Sequence, residues 1–178
     1  MLRLEYGRIG VIYGLVGGLI GSVILGILAY LTPVPVSGGD LTLVPFFTSA
    51  LFSLGVPIQI AMNYGWIFNL IAGLAIGAIF GALVSFITGL KIQSFAKGFE
   101  MGVLAGIATF GLFFVTVLAP FVPELFDSFN PLLFEILGAH IIFGIVMGTI
   151  MALGMTKNKT AVQDATKISE DDRLVTLA

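Results

Sequence analysis

The chain has 178 residues, of which 58% are hydrophobic and 10% charged, and its formal net charge is −2. Soluble domains carry about 25% charged residues, so this composition is typical of a membrane protein, and the net charge argues against a nucleic-acid partner. Because the chain has no cysteine, disulfides, thiolate metal ligands and cysteine nucleophiles are excluded.

Four apolar stretches are each long enough to cross a membrane, which takes about 20 residues. They cover residues 9–31, 64–90, 101–122 and 132–155. We therefore predict an all-α protein with a single four-helix transmembrane domain over 1–155 in the lipid bilayer. A polar tail over 156–178 follows it.

The basic residues predict how these spans are oriented. Two precede the first span, two lie between the second and third, and four follow the fourth: Arg3, Arg8, Lys91, Lys97, Lys157, Lys159, Lys167 and Arg173. Lys and Arg near span ends are retained on the cytoplasmic side. We therefore expect a multi-pass protein of a prokaryotic plasma membrane, with both termini and the 91–100 loop in the cytoplasm.

Residues 41–62 carry no charge and could be mistaken for a fifth span. Pro45 and Pro57 leave only the window 46–56 for an uninterrupted helix, about half a bilayer at 1.5 Å per residue. A fifth span would also place the two loop lysines opposite the N-terminal arginines. We therefore predict a short re-entrant or interfacial helix on the outer face.

Small residues, mostly glycine, recur at every fourth position in the spans. Residues at i and i+4 share a helix face, and small residues there let helix backbones approach closely in lipid. The predicted helix-packing ridge comprises Gly10, Gly14, Gly18, Gly73, Gly77, Gly81, Gly102, Gly106, Gly144 and Gly148. A narrow pore lined by backbone carbonyls is the alternative, but ridges in all four spans favour a tight bundle.

The two halves of the chain carry corresponding ridges. Gly10-Gly14-Gly18 matches Gly98-Gly102-Gly106, and Asn69-Gly73-Gly77-Gly81 matches His140-Gly144-Gly148-Ala152. Each half reads as a ridged span, a proline-containing outer connection, and a span with one polar residue ahead of its ridge. We predict two parallel tandem repeats, about 7–90 and 95–155, related by an axis along the membrane normal.

Asn69 and His140, the latter the chain's one histidine, occupy matching places in these repeats. Each precedes a ridge glycine by four residues, so we expect both to face the bundle interior in its outer part. The simpler role is an interhelical hydrogen bond that fixes packing, and the alternative is a ligand or transport site. One histidine without cysteine cannot form a His-rich zinc or copper site, so we predict no metal and no other cofactor.

The remaining charged residues lie near span ends. Asp40, Glu124, Asp127 and Glu135 could join His140 in a hard-cation or proton site, but solvated loop charges are the simpler interpretation. Lys97 and Glu100 have the spacing of a surface ion pair on a helix.

The sequence His140-Ile-Ile-Phe-Gly144-Ile-Val-Met-Gly148 resembles the H-x-x-[FY]-G-x-x-x-G helix of YagU-like proteins, a group of small prokaryotic membrane proteins. The resemblance covers this helix and, more loosely, the four-span layout. It implies a small four-helix inner-membrane protein and no particular reaction, so it contributes no site residues.

No Ser-His-Asp set, Walker A sequence, Rossmann fingerprint or HExxH motif is evident, so we expect no catalytic residues and no enzyme. The expected function is a non-catalytic accessory or structural subunit of a larger membrane complex, whose partners are other membrane subunits or further copies of the chain. A membrane oxidase or monooxygenase is one such host. The alternative is a small-solute transporter or channel built from the two repeats, and an intramembrane enzyme is less favoured.

Overall fold

The computed structural model describes residues 2–31, 33–36, 39–42, 51, 54–113, 116 and 131–176. Its four long helices are α1 (Leu2–Leu31), α2 (Ile58–Phe86), α3 (Phe95–Phe113) and α4 (Pro131–Thr176). Each contains a stretch long and apolar enough to cross a membrane, namely Gly7–Ala29, Ile58–Phe86, Phe95–Phe113 and Leu133–Lys157. The prediction of four helices long and apolar enough to span a membrane is therefore confirmed.

Among the described residues, a strand hairpin and a 3₁₀ turn lie between the helices. The strands β1 (Pro33–Val36) and β2 (Gly39–Thr42) pair antiparallel, with Pro33 opposite Thr42 and Val36 opposite Gly39. A 3₁₀ turn at Thr88–Leu90 follows α2. The hairpin was not predicted, although the sequence Ser37-Gly38-Gly39 is a recognised turn signal.

The second span begins earlier and ends earlier than predicted. The carbonyl of Pro57 accepts hydrogen bonds from the N–H groups of Ile60 and Ala61, both at 2.9 Å, and so starts α2. Proline is tolerated at this N-cap position because it has no N–H that would need a partner. Residues 58–62, assigned above to the re-entrant segment, therefore belong to α2. The rest of that segment lies largely outside the described residues, so the re-entrant helix stays a prediction.

The third and fourth helices also extend beyond their predicted bounds. The Ser94 hydroxyl accepts a hydrogen bond from the Lys97 N–H at 3.2 Å, so Ser94 caps α3, which begins six residues before the predicted span. Helix α4 continues through the predicted polar tail to Thr176. Neither glycine nor proline occurs between 155 and 176 to end it.

The helices pack in the order α2, α1, α4, α3. Helix α1 contacts both α2 and α4, and α3 packs closely on α4, whereas α2 and α3 approach each other much less. Arg8, Lys91 and Lys157 lie at one end of the bundle, which we call the basic end.

Glycines form the contacts within each helical hairpin. A Cβ atom added to any of the predicted ridge glycines would meet main-chain atoms of the facing helix. In the α1–α2 hairpin the facing pairs are Gly10–Gly81, Gly14–Gly77 and Gly18–Gly73. In the α3–α4 hairpin Gly98 faces Gly148, Gly102 faces Gly144, and Gly106 faces the main chain of His140. Only residues without a large side chain permit such an approach.

The α1–α4 interface joins the two hairpins and is packed differently. Gly17 lies against the backbone of Met147, Gly21 against Phe143, and Gly154 against the ring of Tyr13. Below this contact, toward the basic end, lies an apolar core of buried side chains that includes Phe80, Val84, Ile92, Met101, Met147, Met151 and Met155. The unbranched methionine side chain fills irregular gaps well.

Candidate functional site

A small cavity lies where all four helices meet, between the apolar core and the end of the bundle opposite the basic end. Each helix contributes one polar side chain to its lining: Ser22 from α1, Asn69 from α2, Thr109 from α3 and His140 from α4. Leu25, Ala72, Gly73, Ile76, Phe113 and Phe143 complete the wall. The structure thus brings Asn69 and His140 to one site and adds two polar residues that were not predicted as site residues.

Asn69 links α2 to α1. It is 5% exposed, and its Nδ2 atom donates a hydrogen bond of 2.7 Å to the backbone carbonyl of Ser22. A carbonyl oxygen can only accept, so the nitrogen must be the atom that faces it, and this sets the orientation of the amide. The bond fixes the register of the α1–α2 hairpin beyond the last glycine pair.

His140 is enclosed within the α3–α4 hairpin. It is 1% exposed, and its Nδ1 atom lies 2.8 Å from the backbone carbonyl of Ile136, one turn earlier in α4. Because that carbonyl accepts, Nδ1 carries a proton. The rings of Phe110 and Phe113 pack on the imidazole, with centroids at 5.8 and 5.7 Å.

The two hydroxyl groups bond to their own helices. Ser22 donates to the Leu19 carbonyl at 2.8 Å, and Thr109 donates to the Ala105 carbonyl at 2.6 Å. Such bonds to the preceding turn are the usual way in which serine and threonine are accommodated in a helix. Both residues are buried.

The cavity is small and largely apolar apart from these four residues. It has room for about one water molecule. No carboxylate lines it among the described residues, and within the same part of the chain no three His, Cys, Asp or Glu side chains lie close enough to hold a metal ion. The arrangement can therefore hold a small polar molecule by hydrogen bonds.

The other charged residues lie away from the cavity or outside the described part. Lys97 and Glu100 form the predicted surface ion pair, with Nζ 3.1 Å from Oε1. Both are solvent-accessible, so this pair contributes at most about 1 kcal/mol. Glu135 is exposed, Asp40 lies in β2, and Glu124 and Asp127 lie outside the described residues.

Of the two unpredicted residues, Ser22 carried the clearer sequence signal. It continues the four-residue spacing of Gly10, Gly14 and Gly18, which predicts its place on the packed face but not its role in the cavity. Thr109 is three residues beyond Gly106, which also places it near the ridge face.

Comparison with protein-family models, with curated proteins and with solved structures finds no match to this chain. The resemblance to YagU-like proteins therefore stays a prediction, and the functional argument depends on the chain's own geometry.

Proposed function

We propose that this chain is a non-catalytic accessory or structural subunit of a larger membrane protein complex. The observation that carries the proposal is the way its polar side chains are used. Asn69, Ser22, Thr109 and His140 each bond to a backbone carbonyl of this chain. A side chain used in this way stabilises helix packing whether or not a substrate is present.

The dimensions of the interior support the same proposal. Substrate and cofactor sites in proteins usually occupy about 300–1,000 Å³, whereas this cavity has room for about one water molecule. Glycine contacts hold the hairpins backbone to backbone, which makes each a rigid unit. A compact helical module of this kind is suited to hold other membrane subunits in place.

Native mass analysis of the full chain, extracted from its own membrane in mild detergent, tests the proposal. We expect a second, different membrane protein in fixed stoichiometry in independent preparations. A matched sample in which Gly144→Leu disrupts the α3–α4 contact should lose that partner. Extraction of the chain only as a monomer or homo-oligomer would contradict the proposal.

A small-solute transporter or channel is the second candidate, and one observation favours it. All four helices converge on one cavity, and each places a polar group there, as expected for a binding site at a repeat interface. The apolar core between this cavity and the basic end would then have to open during transport. Solute flux in proteoliposomes that is abolished by Asn69→Leu, with the folded structure intact, would favour this candidate over the first.

We further propose that the chain consists of two tandem repeats with both termini in the cytoplasm. The register of the hairpins supports the repeat: adding 88 to an α1 position and 67 to its α2 partner converts Gly14–Gly77 into Gly102–Gly144. The same offsets convert the other two facing pairs. In this register His140, and not Gly144, takes the place of Gly73, so the predicted match of Asn69 with His140 does not follow from the packing. The position of Arg8, Lys91 and Lys157 at one end supports the orientation.

A further inference from the structure

The cavity at Asn69 and His140 is surrounded by groups most of whose hydrogen-bond donors are already used. The hydroxyl protons of Ser22 and Thr109 go to carbonyls of their own helices. One N–H of Asn69 goes to the Ser22 carbonyl, and Nδ1 of His140 is directed at the Ile136 carbonyl.

Toward the cavity, these side chains can therefore act mainly as hydrogen-bond acceptors. A hydroxyl oxygen that donates its proton retains two lone pairs, and an amide oxygen retains two as well. Ser22, Asn69 and Thr109 together therefore bring three oxygen atoms able to accept hydrogen bonds. All three residues are at least nine-tenths buried, at 1%, 5% and 9% exposure.

One wall of the cavity carries a small side chain. Ala72 of α2 lines it, so a larger residue at this position can reach into the free volume. The large ring of Phe143 on α4 lines it as well and fills the contact with Gly21 at the α1–α4 interface.

A small cavity with polar walls is not expected to stay empty. Apolar cavities remain dry, whereas a cavity of about one water volume with two to four polar partners holds an ordered molecule. An oxygen acceptor buried without a partner loses the hydrogen bonds that it would make in water.

We propose that this cavity is a binding site for one small hydrogen-bond donor of the size of water. Water and the ammonium ion share this chemistry. The aromatic wall around His140 could also receive a cation, but no described carboxylate lines the cavity to balance its charge. Water is therefore the occupant that the lining favours.

Substitution of Ala72 by two residues of equal shape tests this assignment. Valine and threonine fill the same volume, but only threonine brings a hydroxyl group that can take over the role of the occupant. We expect Ala72→Thr to melt about 1–6 °C higher than Ala72→Val in the same detergent. The same pair at Ala108, which is exposed on α3, is the control, and there threonine should give no gain.

The difference in melting temperature between the two Ala108 variants is first subtracted from the difference between the two Ala72 variants. If Ala72→Val then melts at the same temperature as Ala72→Thr or higher, the proposal is overturned. In that case the void is dry and apolar filling stabilises it. This comparison needs only the order of two melting temperatures.

Magnetic resonance on the unaltered protein in nanodiscs gives an independent readout if both Ala72 variants fail to fold. The side-chain methyls of Ile76 line the cavity and lie on a residue without exchangeable side-chain protons. We expect a cross-relaxation peak between these methyls and water. Ile79, which is 60% exposed on the lipid-facing side of the same helix, is the control and should show no such peak. A peak that arises only with ¹⁵N-labelled ammonium chloride would assign ammonium instead. The absence of both peaks would refute the site.

Discussion

Replacement of Gly77 by alanine should weaken the protein measurably, although alanine is the better helix former. A Cβ atom at this position would lie 2.9 Å from the Gly14 carbonyl carbon and 3.0 Å from the Gly18 Cα. The Gly14 carbonyl oxygen would lie closer still. Because atoms in good contact are about 3.5–4.0 Å apart, α1 and α2 must separate by about 1 Å or more. Overpacking of this kind costs about 1–3 kcal/mol.

Gly111→Ala is the matched control for this prediction. Gly111 also lies in a helix, but an added Cβ atom there would have no described atom within 4 Å. Both substitutions gain the same helix propensity, up to about 1 kcal/mol. The difference between the two variants therefore isolates the packing cost, and we expect Gly77→Ala to be less stable by about 1–3 kcal/mol.

Reversible unfolding in mixed micelles, or steric trapping in bicelles, measures this difference. The larger change Gly77→Leu should abolish the folded protein. If Gly77→Ala is as stable as Gly111→Ala, the backbone-to-backbone approach of α1 and α2 is wrong.

Three further predictions concern the polar residues and the topology. Asn69→Leu should lower stability by about 0.6–2 kcal/mol, because the hydrogen bond to the Ser22 carbonyl is lost in a membrane interior; an unchanged unfolding curve would contradict this. His140→Ala should lower the melting temperature by an amount that does not change between pH 6 and 8, since in the packing role the imidazole stays neutral; a pH-dependent loss would instead support a transport role. A single cysteine at position 40 of this cysteine-free chain should react with an impermeant thiol reagent added outside the cell; reaction from the cytoplasmic side alone would overturn the topology.

Much of the helical framework could be predicted from the sequence because lipid imposes simple rules. Length and apolarity located four spans, and the four-residue glycine spacing indicated which face of each helix would meet another. The offset of Asn69 and His140 from Gly73 and Gly144 placed both on that face. These signals are strong because a backbone in hydrocarbon has few alternatives to the helix.

The details that were missed depend on local capping and on tertiary packing. Helix α2 starts after Pro57 and α3 starts after the N-cap Ser94, and each start lies six residues before the predicted one. Ser22 and Thr109 bond to their own helices, so hydropathy does not mark them as site residues. The cavity depends on how side chains of four helices pack against one another, and no local sequence pattern reports an unfilled volume.

Thiol accessibility at Met151→Cys tests most directly whether the chain is a packed module and not a conduit. Met151 is completely buried in the apolar core between the cavity and the basic end. Our account predicts that this cysteine stays unreactive toward a small water-soluble methanethiosulfonate reagent applied from either side, and that it reacts only after the protein is unfolded. Rapid labelling in the folded protein would show an aqueous path through the core and would contradict the account.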